Sequence, residues 1–295
     1  MDNIQYTLQG DSLVFLIISL LITGILAGSM KYLFEHFLPV RSQRKQNALD
    51  NFERYKNKLL KASTSLISSL NLYMRYLKEN SLPLEEDEYS SMTLLYAFSS
   101  FFGWNQIMEE NVLDELDLTV YHKQRKYRDL FYRSHKSLSS PSYFRPLRKA
   151  DRKYEEIVAC SAIKACDLRK IGCAMVIEEG TTDHRSFSVI NILDFERKYQ
   201  HDPGFRKVFD PLLNFLKNIK RDPENMHWCR ATILLVNLQS FMNLLDKQHL
   251  RTNNNRFDQL HDCHPLFRQH ILSICSPEEK RIIREKLQYV IILHR

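Results

Sequence analysis

The stretch Ser12–Met30 reads SLVFLIISLLITGILAGSM, nineteen residues without a charge between Asp11 and Lys31. As a helix rising about 1.5 Å per residue it would cover roughly 28 Å, close to the hydrocarbon thickness of a bilayer. A helix satisfies its own backbone hydrogen bonds, which lipid demands. The stretch therefore predicts a transmembrane helix with its interfacial belt over 12–38, preceded by a short external head, 1–11. Tyr32, Phe34, His36 and Phe37 supply the belt, and Pro39 ends or kinks the helix as it leaves the bilayer.

Charge orients that span. The chain of 295 residues carries a net +7, and no Lys or Arg precedes Lys31. Setting aside Asp2 and Asp11 leaves +9 for the rest. With Lys31, Arg41, Arg44 and Lys45 just after the span, the positive-inside rule puts the N-terminus outside and the large domain in the cytoplasm, at the inner (plasma) membrane. A cleaved signal peptide would need a basic head, which is missing. Within the span, Gly24 and Gly28 form a GxxxG pair, the candidate face for homodimer or oligomer formation.

Only seven glycines occur, and they do not cluster as a Rossmann or P-loop site requires, so nucleotide binding through either motif is excluded. Scarce glycine also favours long helices, and the expected fold class is mainly α. From Ser42 to Asn80 the residues Leu49, Phe52, Leu59, Leu66, Leu70, Tyr73 and Leu77 recur at near-heptad spacing, interrupted by Lys56 and Ser63. A second helix over Glu85–Leu118 is apolar nearly all round from Leu94 to Trp104, the mark of a core helix. These two helices make up 42–120. A C-terminal helical domain over 151–295 follows, with at most one short strand region near 186–193. It includes one helix over Asp151–Glu178, one from Asp202-Pro203 to Lys220 kinked at Pro211, one opening at Asp222-Pro223, and a last helix after Ser276-Pro277.

Between the two lies the basic segment 121–153, with eleven Lys or Arg against Asp129 and Asp151. Tyr121, Tyr127, Phe131, Tyr132, Tyr143 and Phe144 are interleaved. Its candidate contacts for anionic lipid or a protein partner are Lys123, Arg125, Lys126, Arg128, Arg133, Arg145, Arg148 and Lys149. Lys and Arg near an anionic leaflet contribute about 1 kcal/mol each. A solvated helix face is the plainer alternative. Phosphate contact with base stacking is a third, but no nucleic-acid-binding motif accompanies it and nucleic acid is not the expected partner.

Arg169-Lys170-Ile171-Gly172, Phe187–Phe195, Phe205–Leu213, Arg230, Val236-Asn237-Leu238 and Leu244-Leu245-Asp246, with the Leu94–Trp104 core helix, form a pattern of scattered apolar positions. In this the chain resembles a recurrent group of uncharacterised bacterial proteins with one N-terminal membrane segment and a helical cytoplasmic region. The resemblance implies a membrane-anchored helical architecture and brings no activity with it.

Catalytic signatures are missing: there is no G-x-S-x-G, no H-E-x-x-H and no kinase set. His261-Asp262-Cys263-His264, with His270 and Cys275, is too tightly bunched for a zinc module, so no metal or other cofactor is expected. His227-Trp228-Cys229 reads as a capping turn with a buried Trp. The six cysteines read as reduced thiols serving as small hydrophobes. The expected function is an interaction, scaffold or sensor module at the cytoplasmic membrane surface. The alternatives are an effector acting through oligomerisation of its anchor, and a membrane-tethered enzyme without a recognisable motif.

Overall fold

A computed structural model describes residues 18–32, 34–35, 38–80, 88–110, 122–179, 186–245 and 262–274. The chain divides into two compact units, Met1–Asn51 and Phe52–Arg295. It is mainly helical, as its composition predicts. In the first unit residues 18–32 form helix α1, which bears Ile18, Leu20, Leu21, Ile22, Ile25, Leu26 and Met30 as exposed side chains. Of the expected span, Ser12–Ile17 lie outside the described residues. Among the described residues no helix is long and apolar enough to cross a membrane. Pro39 stands in the first turn of the next helix, α2 (Leu38–Asn80), where its missing N–H costs nothing.

The second unit starts within α2. Phe52, Leu59, Leu66, Leu70, Tyr73 and Leu77 are all buried, so the near-heptad seam is a core face. The two interruptions resolve separately. Ser63 is buried and donates its hydroxyl to the Leu59 carbonyl at 2.8 Å, whereas Lys56 turns outward to Glu53 at 3.0 Å. Helix α3 (Glu88–Met108) lies within its predicted range, whose two ends fall outside the described residues. Its stretch Leu94–Phe102 is buried on every side apart from a half-exposed Tyr96.

The remaining elements are α4 (His122–Ser139), a 3-10 turn over Ser142–Phe144, α5 (Arg145–Ala150), α6 (Lys153–Cys160), α7 (Ala165–Met175), β1 (Val176–Glu179), β2 (Ser186–Val189), α8 (Ile192–His201), α9 (Pro203–Val208), α10 (Asp210–Lys217), α11 (Met226–Leu245) and α12 (Pro265–Ile274). Three of these correct the sequence reading. The expected helix over Asp151–Glu178 is two helices, α6 and α7, and it stops at Met175. Val176–Glu179 is a strand that pairs antiparallel with Ser186–Val189, Val176 opposite Val189 and Glu179 opposite Ser186. A lone strand would leave its backbone groups unpaired, and β1 supplies the missing ladder. Pro211 does not kink a helix; it sits in the first turn of a separate one, α10, because proline fits there and not mid-helix.

Helices α3 and α7 approach closely because glycines face the contact. A Cβ on Gly103 would stand 2.8 Å from Met175 Cβ, and one on Gly172 would stand 2.9 Å from the Phe102 carbonyl oxygen. In an open helix Gly→Ala gains up to about 1 kcal/mol. Gly172→Ala is expected to reverse that sign and destabilise the protein by roughly 1–3 kcal/mol, since backbone must move. Urea unfolding of the full-length protein measures it, and a stabilised variant would refute the close crossing.

At the centre lies Arg230 of α11, fully buried at 0% exposure. Its Nη1 donates to the Ser137 and Ser140 carbonyls at 3.0 Å each, Nη2 to the Val158 carbonyl at 2.9 Å, and Nε to Ser161 Oγ at 2.9 Å. The guanidinium carbon lies 4.7 Å from the centroid of Phe144. Ser137 and Val158 belong to the last turns of α4 and α6, where carbonyls lack helical partners and each helix end carries about half a negative charge. Burial pulls the Arg230 pKa down to about 10, so it stays charged at neutral pH. Arg230→Lys keeps the charge but cannot reach all four acceptors. It is expected to cost at least roughly 2 kcal/mol, through buried acceptors left without donors. A urea midpoint equal to that of wild type would refute this.

Candidate functional site

Helix α4 explains why the basic segment alternates charged and aromatic residues. Phe131, Ser134, Ser137 and Leu138 are buried on its inner face, while Asp129, Arg133 and Lys136 are exposed on the outer one. Asn237, one heptad after Arg230 on α11, donates to the Arg133 carbonyl at 3.2 Å and to Tyr143 Oη at 3.3 Å. Helix α11 thus holds α4 through two polar side chains that read its backbone and neighbouring turn.

The predicted contact residues separate into distinct groups. Arg133, Arg145 and Lys149 are exposed, and none forms an ion pair among the described residues. Arg148 is half-buried and pairs with Glu155 at 2.6 Å. Arg128 lies over the Tyr132 ring at 5.6 Å. Lys123, Arg125 and Lys126 stand on α4, but their side chains lie outside the described residues. Of the interleaved rings, Tyr121 and the Tyr127 side chain lie outside the described residues. Phe131, Tyr143 and Phe144 are buried, and Tyr132 donates to Glu109 Oε1 at 3.3 Å. Stacking of bases would need rings at the surface, and packing has used Phe131, Tyr143 and Phe144.

In the other unit, a Cβ on Gly24 or Gly28 would meet nothing within 4 Å. The hydroxyls beside them are satisfied within their own helix. Thr23 donates to the Ser19 carbonyl at 2.7 Å, and Ser29 to the Ile25 carbonyl at 2.7 Å.

The bunched ligand-type residues point to separate partners. Asp262 takes Lys78 at 2.7 Å and Arg221 at 3.1 Å. His264 lies 3.6 Å from Glu224 and edge-on to the Tyr154 ring, while Cys263 is buried. No group of three His, Cys, Asp or Glu able to hold a metal occurs among the described residues. His261, the His270 side chain and Cys275 lie outside them. The cluster docks a turn, and sequence reasoning missed its partners because they come from α2, α6 and the turn before α11. The turn at His227-Trp228-Cys229 is as predicted: Asn225 Oδ1 accepts from the Trp228 N–H at 2.8 Å and Trp228 is buried. Among the cysteines, Cys229 and Cys263 are buried as expected, but Cys160, Cys166 and Cys173 are exposed.

The chain matches no protein family, no curated protein and no solved structure.

Two imidazoles are kept neutral by the fold. Burial against Phe102 and Phe131 pulls His135 down to about 4. Burial, then the nearby Arg230 charge, does the same to His227. The unfolded chain, with imidazoles near about 6.5, takes up these protons first as pH falls. Stability from the neutral rings is therefore present above that value and lost between about pH 6.5 and 4. For His135 the slope is about 1.4 kcal/mol per pH unit within that window. Urea midpoints are expected to drop between pH 7 and 4.5 and to drop less in His135→Gln. An identical slope in the variant would refute the assignment.

Proposed function

We propose that the protein is a single-pass membrane-anchored module that presents a helical domain, with a basic outer face on α4 and α5, to the anionic cytoplasmic surface of the inner membrane. The carrying observation is α1. Its seven large apolar side chains are exposed on all sides, and its Thr23 and Ser29 hydroxyls are satisfied by its own carbonyls. A helix with no polar face has no stable place in water, and self-satisfied hydroxyls are what a hydrocarbon surrounding requires. The uncharged sequence continues through Ser12–Ile17 to the length of a span. Arg133, Lys136, Arg145 and Lys149 then offer the domain a second, electrostatic hold of about 1 kcal/mol per charge. This is the architecture that the bacterial resemblance implies. Self-association of the anchor is the alternative, favoured by the open faces of Gly24 and Gly28.

Full-length protein is expected to stay in the membrane pellet through an alkaline carbonate wash. The double variant Ile22→Arg, Ile25→Arg is expected to leave it, because each mid-helix Arg costs about 2.5–3.5 kcal/mol on insertion. The exposed Cys160, Cys166 and Cys173 report orientation: a membrane-impermeant maleimide is expected to label them only after cells are permeabilised. Release of the wild type by carbonate, or labelling in intact cells, would overturn the reading.

A further inference from the structure

Residues 262–274 are held to the domain at two places of different character. At the front the hold is by charge. Asp262 sets one carboxylate oxygen 2.7 Å from Lys78 Nζ of α2 and the other 3.1 Å from Arg221 Nη2, in the turn before α11. His264 lies 3.6 Å from Glu224, whose other oxygen accepts the Tyr154 hydroxyl at 2.5 Å and meets Lys153 Nζ at 3.8 Å. Lys78, Arg221 and Glu224 keep between 26% and 49% of their side-chain surface in water. Behind, α12 packs on α5 and the 3-10 turn, where Phe267 stacks on Phe144 at 5.1 Å. Phe267 and Ile271, one turn apart, are its buried apolar residues among the described side chains, whereas Pro265, Leu266 and Gln269 are exposed. Helix α11, by contrast, is buried at every position from Trp228 to Gln239. A helix of ten residues has little stability of its own in water, so α12 keeps its form through these contacts.

We infer that residues 262–274 form a lid latched by charge, which lifts from α5 and the 3-10 turn by local opening while α11 stays folded. Half-exposed ion pairs are weak and are screened by salt. An element seated by two buried apolar side chains opens at a lower free energy than one buried along its length. The fixed half of the latch lies on separate elements: Lys78 ends α2, Arg221 and Glu224 precede α11, and Lys153 and Tyr154 open α6. Lifting bares Phe144 on the domain and Phe267 and Ile271 on the underside of α12. Phe144 also lies against the Arg230 guanidinium, 4.7 Å from the ring centroid, so it keeps a partner when Phe267 leaves. Arg145 follows Phe144 in the chain, and apolar groups beside cations are what an anionic lipid surface retains. Such a surface also competes with Asp262 for Lys78 and Arg221, so it favours the open lid. Opening by lipid rests on the membrane-anchored reading above; the latch does not.

Cys263 reports the opening, since it is 1% exposed in the seated turn and becomes reachable when the turn lifts. Full-length protein in a non-ionic detergent is treated with N-ethylmaleimide, and labelling of Cys263 is read by peptide mass spectrometry against the exposed Cys166. Raising NaCl from about 50 to about 500 mM is expected to speed Cys263 labelling roughly 2–5-fold, the size of one exposed ion pair. Lys78→Gln at low salt is expected to do the same. Amide exchange across α11 is expected to stay unchanged in both. The lid is overturned if either change leaves Cys263 labelling as it was, or if α11 exchange rises with it. In phosphatidylcholine nanodiscs at low salt, added phosphatidylglycerol is expected to speed Cys263 labelling by a like factor. Equal labelling in the two discs, with the salt and Lys78→Gln responses intact, would overturn opening by lipid. Release of the wild type by carbonate would instead overturn the membrane reading and leave the latch standing.

Discussion

A guanidinium in a protein interior is tolerable only where its charge is offset and its donors are taken. Arg230 meets both conditions without a carboxylate. Two helix ends supply the negative potential, three carbonyls and a serine hydroxyl take four of the five N–H protons, and the Phe144 face covers the plane. The arrangement works in both directions. Arg230 needs those carbonyls, and it supplies a donor to the Ser137 carbonyl at the end of α4, while the Val158 carbonyl of α6 accepts from both Arg230 and the Ser161 hydroxyl at 2.9 Å. The Leu138 carbonyl completes the account by accepting the Ile163 N–H at 3.0 Å. The bend between α4 and α5 and the turn between α6 and α7 thus share one anchor point on α11.

The outer charge of the basic segment follows from that anchoring. Once α11 takes hold of α4 through Arg230 and Asn237, the inward face of α4 must be apolar or small, and Phe131, Ser134, Ser137 and Leu138 occupy it. Lys and Arg are left on the solvent side. Among its described residues, this strongly basic stretch turns Arg133, Lys136, Arg145 and Lys149 outward and Phe131, Tyr143 and Phe144 inward. The close crossing of α3 and α7 at Gly103 and Gly172 is the second fixed point, and it brings the β1–β2 hairpin against the same core helix, where Tyr96 donates to the Ile190 carbonyl at 3.0 Å.

Much of the helical order was legible in the chain. The α2 seam, the all-round apolar middle of α3 and the Asp202 cap of α9 are local patterns, each set by periodicity or by a side chain reaching its own backbone, as Asp202 Oδ1 accepts the Phe205 N–H at 3.0 Å. Strand β1 was not legible, because Val176-Ile177-Glu178-Glu179 is compatible with a continuing helix and becomes a strand only when Ser186–Val189 pairs with it. The exposure of Cys160, Cys166 and Cys173 was likewise invisible, since burial depends on what packs against α6 and α7 and not on the thiol itself.

By itself the sequence determined the helical class, the uncharged stretch through Met30 with its cationic flank, and the concentration of positive charge over 121–153. These are properties of neighbours along the chain, where helical spacing and the cost of placing charge in lipid act over a few turns. Only the tertiary structure decided that Arg230 would hold two helix ends and that Phe131, Tyr143 and Phe144 of the basic segment would be core. The Arg230 contacts join groups 69 to 93 residues apart along the chain. Contacts at that separation carry no periodic signature, and they exist only once the helices between them have packed.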